Sequence, residues 1–315
     1  MTYLMSLLVL AAAIAAGLLY MTSMPGRSHA GPLPALSGEG RALSLRLRLH
    51  VAALAANERN TDLETAARYI EAAFAAQGYQ PESQYFESGG RRVRNIEVSN
   101  QGSIVVGAHY DTVPGSPGAN DNASGVAVLI ELAAIMKNAA LPIRFVAFAN
   151  EEPPYSFSPE MGSWTWAKRA RERGEPIRAM VSLEMLGYYR DAPGSQRYPF
   201  PFGLFYPERA DFIAFVGDLG ARDLVRKSIG MFRSKAPFPS EGVAAPGIIP
   251  GVTWSDHWSF RRHGFPAMMI TDTAFNRYPH YHLRSDTPEK LDYERMARVT
   301  LGLAEMLKEL ANETR

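Results

Sequence analysis

The stretch Ser103–Ala108 reads SIVVGA. It is followed at once by His109-Tyr110-Asp111 and, after a short loop, by GANDNASG over Gly118–Gly125. An unbroken apolar run closed by turn-forming residues is the mark of a strand buried on both faces, as strands of parallel sheets are. Three more runs share that character: Ile143–Ala149 (IRFVAFA), Ala179–Leu183 (AMVSL) and Pro266–Thr271 (PAMMIT). Helical patterns lie between the first three runs, at Ser124–Asn138 and Ser163–Arg173. Strand alternating with helix predicts an α/β fold, a doubly wound, mixed but mostly parallel sheet with helices on both faces. Upstream, Thr61 followed by Glu64 has the pattern of a capping box. Leu63, Ala67, Ile70 and Phe74 then recur at helical spacing until Gly78, a plausible stop. Tyr293–Asn312 supplies a closing amphipathic helix.

With 46% hydrophobic and 21% charged residues in a chain of 315, the composition is that of a globular protein. A disordered tail, a coiled coil and a polytopic membrane protein are excluded. The formal net charge of +1 provides no field to draw in nucleic acid. With no cysteine there can be no disulfide, thiolate metal site or cysteine nucleophile, so any metal must be held by His, Asp or Glu. The first charged side chain is Arg27, and Tyr3–Met21 before it is almost wholly apolar, about the length a helix needs to cross a bilayer. No Lys or Arg precedes the run, and Ser28-His29-Ala30 is only a passable cleavage site, which favours an uncleaved anchor over a signal peptide. The expected organisation is a transmembrane anchor or signal sequence over 1–24, a Pro/Gly/Ser-rich linker over 25–40 and the folded domain over 41–315. An exported domain would lie in the periplasm or outside the cell, secreted if the segment is cleaved. Arg27, Arg41, Arg46 and Arg48, taken alone under the positive-inside rule, would keep it cytoplasmic.

In doubly wound sheets ligands sit off the carboxyl ends of the strands. Here the first strand leads to His109 and Asp111, the second to Asn150-Glu151-Glu152, the third to Glu184 and the last, through a loop, to Tyr281-His282; Asp121 precedes the first intervening helix. Taken singly, each has a plain structural reading: His109 as a satisfied histidine, Asp121 as a helix cap, Glu184 as half of a buried ion pair. The adjacent acids Glu151 and Glu152 are harder to place that way, because burying two like charges costs several kcal/mol each without a cation. Together these groups suit two divalent cations with one carboxylate bridging them. Oxygen and nitrogen donors without sulfur suit zinc, with manganese or cobalt as alternatives. Two such ions, about 3.5–4 Å apart, polarise a carbonyl and acidify a shared water, which points to hydrolysis. One of the paired glutamates would then bind metal while the other handles the proton.

The residues resemble the M28 zinc aminopeptidases, with H-x-D at His109-Tyr110-Asp111 and D-N-x-S-G at Asp121–Gly125. E-E follows at Glu151-Glu152, an acid in a strand at Glu184, Y-H at Tyr281-His282 and D-T at Asp286-Thr287. Ser255-Asp256-His257 also looks like a motif of that family. The resemblance covers about Gly107–Leu291 and implies a zinc-exopeptidase-like fold and a catalytic domain that removes N-terminal residues from peptides with a free N-terminus. It implies that Asp121 bridges two metal ions, most simply Zn2+, that His109 and Glu184 hold one of them and that Glu152 and His282 hold the other. Glu151 becomes the general base, Asp111 orients the His109 imidazole, and Tyr281 donates to the developing oxyanion. Many relatives carry Asp where this chain has Glu184. The M20 metallopeptidases share an H-x-D-T-V-P-like start and a Glu-Glu pair, but here DNASG follows, and Met185–Thr253 shows no clear βαβ lid domain. That stretch, rich in Pro, Gly and aromatics, reads as walls of a substrate pocket or as surface loops. Two alternatives stand beside the hydrolase: a glutaminyl-cyclase-like acyl transferase with one zinc, and a non-catalytic peptidase-like ectodomain. Ser124 is excluded as a nucleophile, since Asn122 stands where G-x-S-x-G needs Gly.

Overall fold

The computed structural model describes residues 2–99, 102–139 and 141–313. The first residue of the expected 1–24 segment and the last two of the 41–315 domain lie outside them. Three helices come first: α1 (Thr2–Thr22), α2 (Gly38–Leu54) and α3 (Leu63–Ala76). There follow β1 (Glu82–Ser88), β2 (Arg91–Ser99), β3 (Ile104–His109), α4 (Gly125–Met136), β4 (Ile143–Phe148), α5 (Gly162–Glu172) and β5 (Ala179–Glu184). The second half adds β6 (Ile213–Asp218), α6 (Arg222–Lys235), β7 (Ser240–Ala245), α7 (His257–Arg262), β8 (Ala267–Thr271) and α8 (Tyr293–Asn312).

The strands form one sheet in the order β1-β2-β4-β3-β5-β8-β6-β7. Its centre, β4-β3-β5-β8, is parallel. These are the four apolar runs read from the sequence, and within the strands every residue but Arg144 is buried. An antiparallel β1-β2 hairpin flanks them on one side, and on the other β6, antiparallel to β8, pairs in parallel with β7. The chain leaves β3 toward β4 on one side and later returns to β5 on the other, which opens a crevice at the carboxyl ends beside β3. The fold is the expected doubly wound, mixed α/β sheet.

Three local expectations are corrected. The helix after Asn60 is capped by Asp62, whose carboxylate accepts from the Thr65 N–H at 3.0 Å, while the Thr61 hydroxyl turns back to the Glu58 carbonyl. Asp121 does not cap α4: it lies in a π-helical turn over Ala119–Ser124 with extended backbone, and its carboxylate is free to face the crevice. Met185–Thr253 contains a βαβ unit, β6-α6-β7, although it extends the main sheet and does not form a separate lid.

The stretch expected as a linker packs on the domain: the Ser240 N–H donates to Ser28 Oγ at 2.9 Å and Arg298 to the Pro34 carbonyl at 2.5 Å. The helix after it begins at Gly38, capped by Ser37. Helix α1 has mean hydropathy 2.3 over Tyr3–Thr22 and none of that span is buried, so it is long and apolar enough for a membrane anchor or a signal sequence.

Candidate metal centre

Each crevice residue is delivered by a strand end or an adjoining loop. His109 is the last residue of β3, Glu151 and Glu152 follow β4 and Glu184 ends β5. Sharp turns aim them. Asn150, Met185 and His282 all have left-handed backbone, with φ of 59°, 49° and 60°. For non-glycine residues this costs roughly 1–2 kcal/mol each, and such strain concentrates where function requires it. Gly118 opens the loop that carries Asp121 at φ 62°, and a Cβ there would lie 2.2 Å from the Asp121 carbonyl oxygen. Only glycine fits.

The sequence-predicted residues meet. His109 Nε2 is 3.4 Å from Asp121 Oδ1 and 3.4 Å from either oxygen of Glu184. On the other side of the same carboxylate, Asp121 Oδ2 lies 3.1 Å from His282 Nε2, which is 3.3 Å from Glu152 Oε2. Although surrounded by acceptors, His282 Nε2 makes no hydrogen bond. Its contacts converge as ligands do. Two sets of donors, His109/Asp121/Glu184 and Asp121/Glu152/His282, each gather within 4.8 Å, with Asp121 common to both. A third grouping at the same spacing, His109/Glu151/Glu152, brings Glu151 to the edge of the centre, with Oε2 4.0 Å from His109 Nε2. The donor set fits a divalent cation, and its oxygen and nitrogen chemistry suits zinc.

Around this centre a second layer fixes the loops. Asp111 lies 3.4 Å from His109 Nδ1, without a hydrogen bond to it, and accepts the backbone N–H groups of Glu151 and Glu152, each at 3.0 Å. Asp286 accepts the N–H groups of Asn120 and Asp121 at 2.8 and 3.1 Å and the Tyr278 hydroxyl at 2.7 Å. Ser255 donates to Glu184 Oε2 at 2.7 Å, which gives the first part of the Ser255-Asp256-His257 motif a task. His257 is buried against the Val252 carbonyl. Ser124 bonds the Asn120 carbonyl and the Leu186 N–H, a purely structural use. Tyr281 stacks on His282 with centroids 3.7 Å apart, and burial together with Asp121 and Glu152 raises its phenol, so it stays a donor.

One participant carried no sequence signal. Arg59, in the loop between α2 and α3, is fully buried and donates to the carbonyls of Leu54, Tyr110, Pro117 and Gly118 at 2.7–2.9 Å. It ties the segment after His109 to the loop before Asp121. Burial lowers its pKa to about 10, so it remains charged at neutral pH, a buried cation under the influence of Asp286, Asp121, Asp111 and Glu152.

The electrostatics follow from crowding. Burial, then the charge of Asp121, raises Glu152 to about 8. Burial likewise raises Glu184 and, more strongly, Glu151. Burial opposes protonation of His109 and His282, but the carboxylates facing them outweigh it and raise both. Asp121 is lowered despite burial, because both imidazoles point at it.

Beside the centre opens a cleft of about 880 Å3 that reaches Glu184 and Tyr281. Its walls are Tyr198, Phe202, Phe212, Val216, Trp254 and Met269, so the Pro- and aromatic-rich stretch does form a pocket. The one acid deeper in it, Glu241, faces Arg233 at 3.5 Å.

The peptidase family M28 model matches residues 91–307, which include every one of these groups except Arg59. The chain belongs to peptidase family M28. An uncharacterised Escherichia coli protein, YfbL, is 40% identical over 262 residues, 78% of this chain and 80% of YfbL. A probable leucine aminopeptidase of Arthroderma benhamiae is 27% identical over 67% of this chain but only 55% of its own length. This chain thus spans about half of that fungal relative. Among solved structures, the LapA aminopeptidase of Legionella pneumophila superposes with TM-score 0.69 at 20% identity, covering 91% of this chain and 78% of LapA. A glutaminyl cyclase of Bacteroides thetaiotaomicron gives 0.61 at 17% identity, covering 88% and 99%. At such identities the likeness concerns the fold. Family M28 supplies a peptide-hydrolase setting for the metal-binding cluster.

Proposed function

We propose that this M28 protein is a membrane-anchored, two-zinc aminopeptidase that removes apolar N-terminal residues from peptides. The observation that carries the reading is the pair of complete donor sets sharing Asp121, with Glu151 left beside them. His109, Asp121 and Glu184 would hold one ion, and Asp121, Glu152 and His282 the other. When bound, such a pair polarises the scissile carbonyl and acidifies water. Glu151, only partly buried beside the donors, takes the proton from the attacking water and returns it to the leaving amine. Asp111 positions both the imidazole of His109 and the backbone of the glutamate pair. Tyr281, held as a donor beside the cleft, is placed to hydrogen-bond the developing oxyanion. The cleft's apolar walls favour a large hydrocarbon or aromatic side chain on the residue released.

Metal content and turnover of Glu151→Gln test this. Activity on leucyl and phenylalanyl amides is expected to fall by about 10²–10⁴-fold, with metal per chain unchanged. Full activity in that variant would remove Glu151 from its role. A glutaminyl-cyclase-like reaction would retain one ion and release ammonia from N-terminal Gln, and two ions per chain with amino-acid release speaks against it. The complete set of donors and the base also argues against a purely binding ectodomain. Anchoring through α1 is supported by the packing of residues 20–28 on the folded domain, just ahead of the weak cleavage site at Ser28-His29-Ala30.

A further inference from the structure

Helix α1 is exposed along nearly its whole described length and packs on the domain at its carboxyl end. There Met21 packs into the cluster of Phe202, Phe212, Val216, Val252 and Met269, the side chains that wall the cleft. Arg222 donates to the Tyr20 carbonyl at 2.9 Å and lies over its ring, Arg226 bonds the Ser23 carbonyl, and Arg233 reaches that of Pro25 at 3.1 Å. The end of the helix is therefore fixed to the pocket wall. A helix that crosses a bilayer brings its last turn to the headgroup layer, so this wall comes to that level too.

The loops beside the wall are dressed for such a place. Phe200 is 90% exposed, Leu204 77% and Ile248 91%, and each neighbours a residue of the cleft: Pro199, Phe202 or Ile249. Scattered apolar side chains need no explanation, but these stand on two loops around one opening, at the end of a membrane-length helix. Arg222 and Arg226, which contact Tyr20 and Ser23 at the end of α1, and Arg27 just beyond it suit anionic headgroups.

We propose that the loops at 199–205 and 246–250 lie in the interfacial layer of the bilayer that α1 crosses, so that the cleft opens at the membrane surface. Its substrates are then peptides held at that surface, whose apolar N-terminal residue passes from the lipid interface into the pocket. This rests on the reading of the chain as a membrane-anchored exopeptidase and adds where the substrate comes from.

The absence of cysteine makes the test direct. The full chain carrying Leu204→Cys or Ile248→Cys, or Lys168→Cys on helix α5, which packs beside β1 and β2, is spin-labelled and reconstituted in phosphatidylcholine vesicles containing phosphatidylglycerol. Labels at 204 and 248 are expected to collide with lipid-dissolved oxygen and to be shielded from an aqueous nickel complex, and the label at 168 to behave oppositely. Equal aqueous access at all three positions would overturn the proposal. A chain that fails to float with the vesicles would overturn the anchor and the rim together.

A kinetic arm uses Phe200→Ser/Leu204→Ser/Ile248→Ser in the full chain. Turnover of soluble leucyl amide should stay within about twofold, and turnover of a leucyl peptide bearing a C-terminal acyl chain in the vesicles should fall on the order of tenfold. Loss of both activities in parallel, or of neither, would count against the rim. If the unmodified chain hydrolyses neither substrate, the exopeptidase reading fails, and label depth still decides where the loops lie.

Discussion

Arg59→Met removes a buried fork of donors while keeping most of the side chain's volume. Four carbonyls, of Leu54, Tyr110, Pro117 and Gly118, each lose a bond of 2.7–2.9 Å in a place without solvent. A buried acceptor left without its donor costs about 1–3 kcal/mol, but the four share one side chain and the loops can relax. With that sharing the net loss is about 3–5 kcal/mol, the worth of two or three such acceptors rather than four. For a chain of this size that lowers Tm by about 10 °C, measured by circular dichroism on matched metal-free samples. Arg59→Lys keeps the charge but presents one ammonium to four diverging carbonyls, so it should recover less than half of the loss. Because the clamp joins the segments bearing His109 and Asp121, zinc affinity should fall in parallel. A Tm within about 2 °C of wild type, together with unchanged zinc affinity, would refute the clamp.

Two further outcomes follow from other contacts. Ser255→Ala deletes the 2.7 Å bond to Glu184 without touching a proposed ligand, and zinc affinity measured by competition with a fluorescent chelator should drop about 10–100-fold; unchanged affinity would show that Glu184 needs no such support. Glu131, buried on α4, faces Arg46 at 2.9 Å and His50 at 3.2 Å on α2. Burial alone would raise its pKa, but the bonds from His50 and Arg46 outweigh it and hold it below the usual value. Its stabilising contribution is thus complete above the unfolded-state pKa of about 4.3 and is lost as pH falls through the folded one. Urea midpoints should fall with acidification in that window for wild type and less for Glu131→Gln, and parallel profiles would show the pair to be inert.

The parts legible in the sequence are those whose environment is uniform. Strands β3, β4, β5 and β8 lie inside a parallel sheet, so almost every side chain is apolar and the run declares itself. The hairpin β1-β2 is wet on one side and carries Glu82, Glu87, Arg91 and Arg92 among its residues, which blurs the pattern. Strand β7, SEGVAA, has little strand preference of its own and is held by β6 in register, Ile213 opposite Ser240. In α2 the stretch ALSLRLRLH alternates like a strand, yet the buried positions are Leu43, Leu47, Val51 and Leu54, at helical spacing, with Leu45 and Leu49 in solvent. The site was legible for another reason: its acids sit where an acid is expensive. Glu184 inside VSLEML and the Glu151-Glu152 pair are anomalies unless something cationic meets them. Arg59 sits in a polar loop, NERNT, where arginine is ordinary, and its partners are backbone carbonyls, which no side-chain pattern encodes.

The same expense explains the charge pattern of the centre. Asp111, Asp121, Glu151, Glu152, Glu184 and Asp286 crowd one edge of the sheet, and Arg59 is the arginine buried near them. As side chains alone, such a group lowers its energy by holding protons, and this is the direction in which Glu151, Glu152, Glu184, His109 and His282 are all displaced. Asp121 departs from the rest because it faces both imidazoles, one from each oxygen. A carboxylate that stays ionised while Glu151, Glu152 and Glu184 are pushed toward their neutral forms, with its two oxygens aimed at opposite halves of the cluster, is the group best suited to join two cations. Its place between the halves is set by Gly118, whose missing Cβ lets the loop turn, and by Asp286, which grips the Asn120 and Asp121 amides. The strain and desolvation concentrated at this edge are thus one arrangement: a sheet that fixes the donors and a loop that puts the carboxylate common to both donor sets between them.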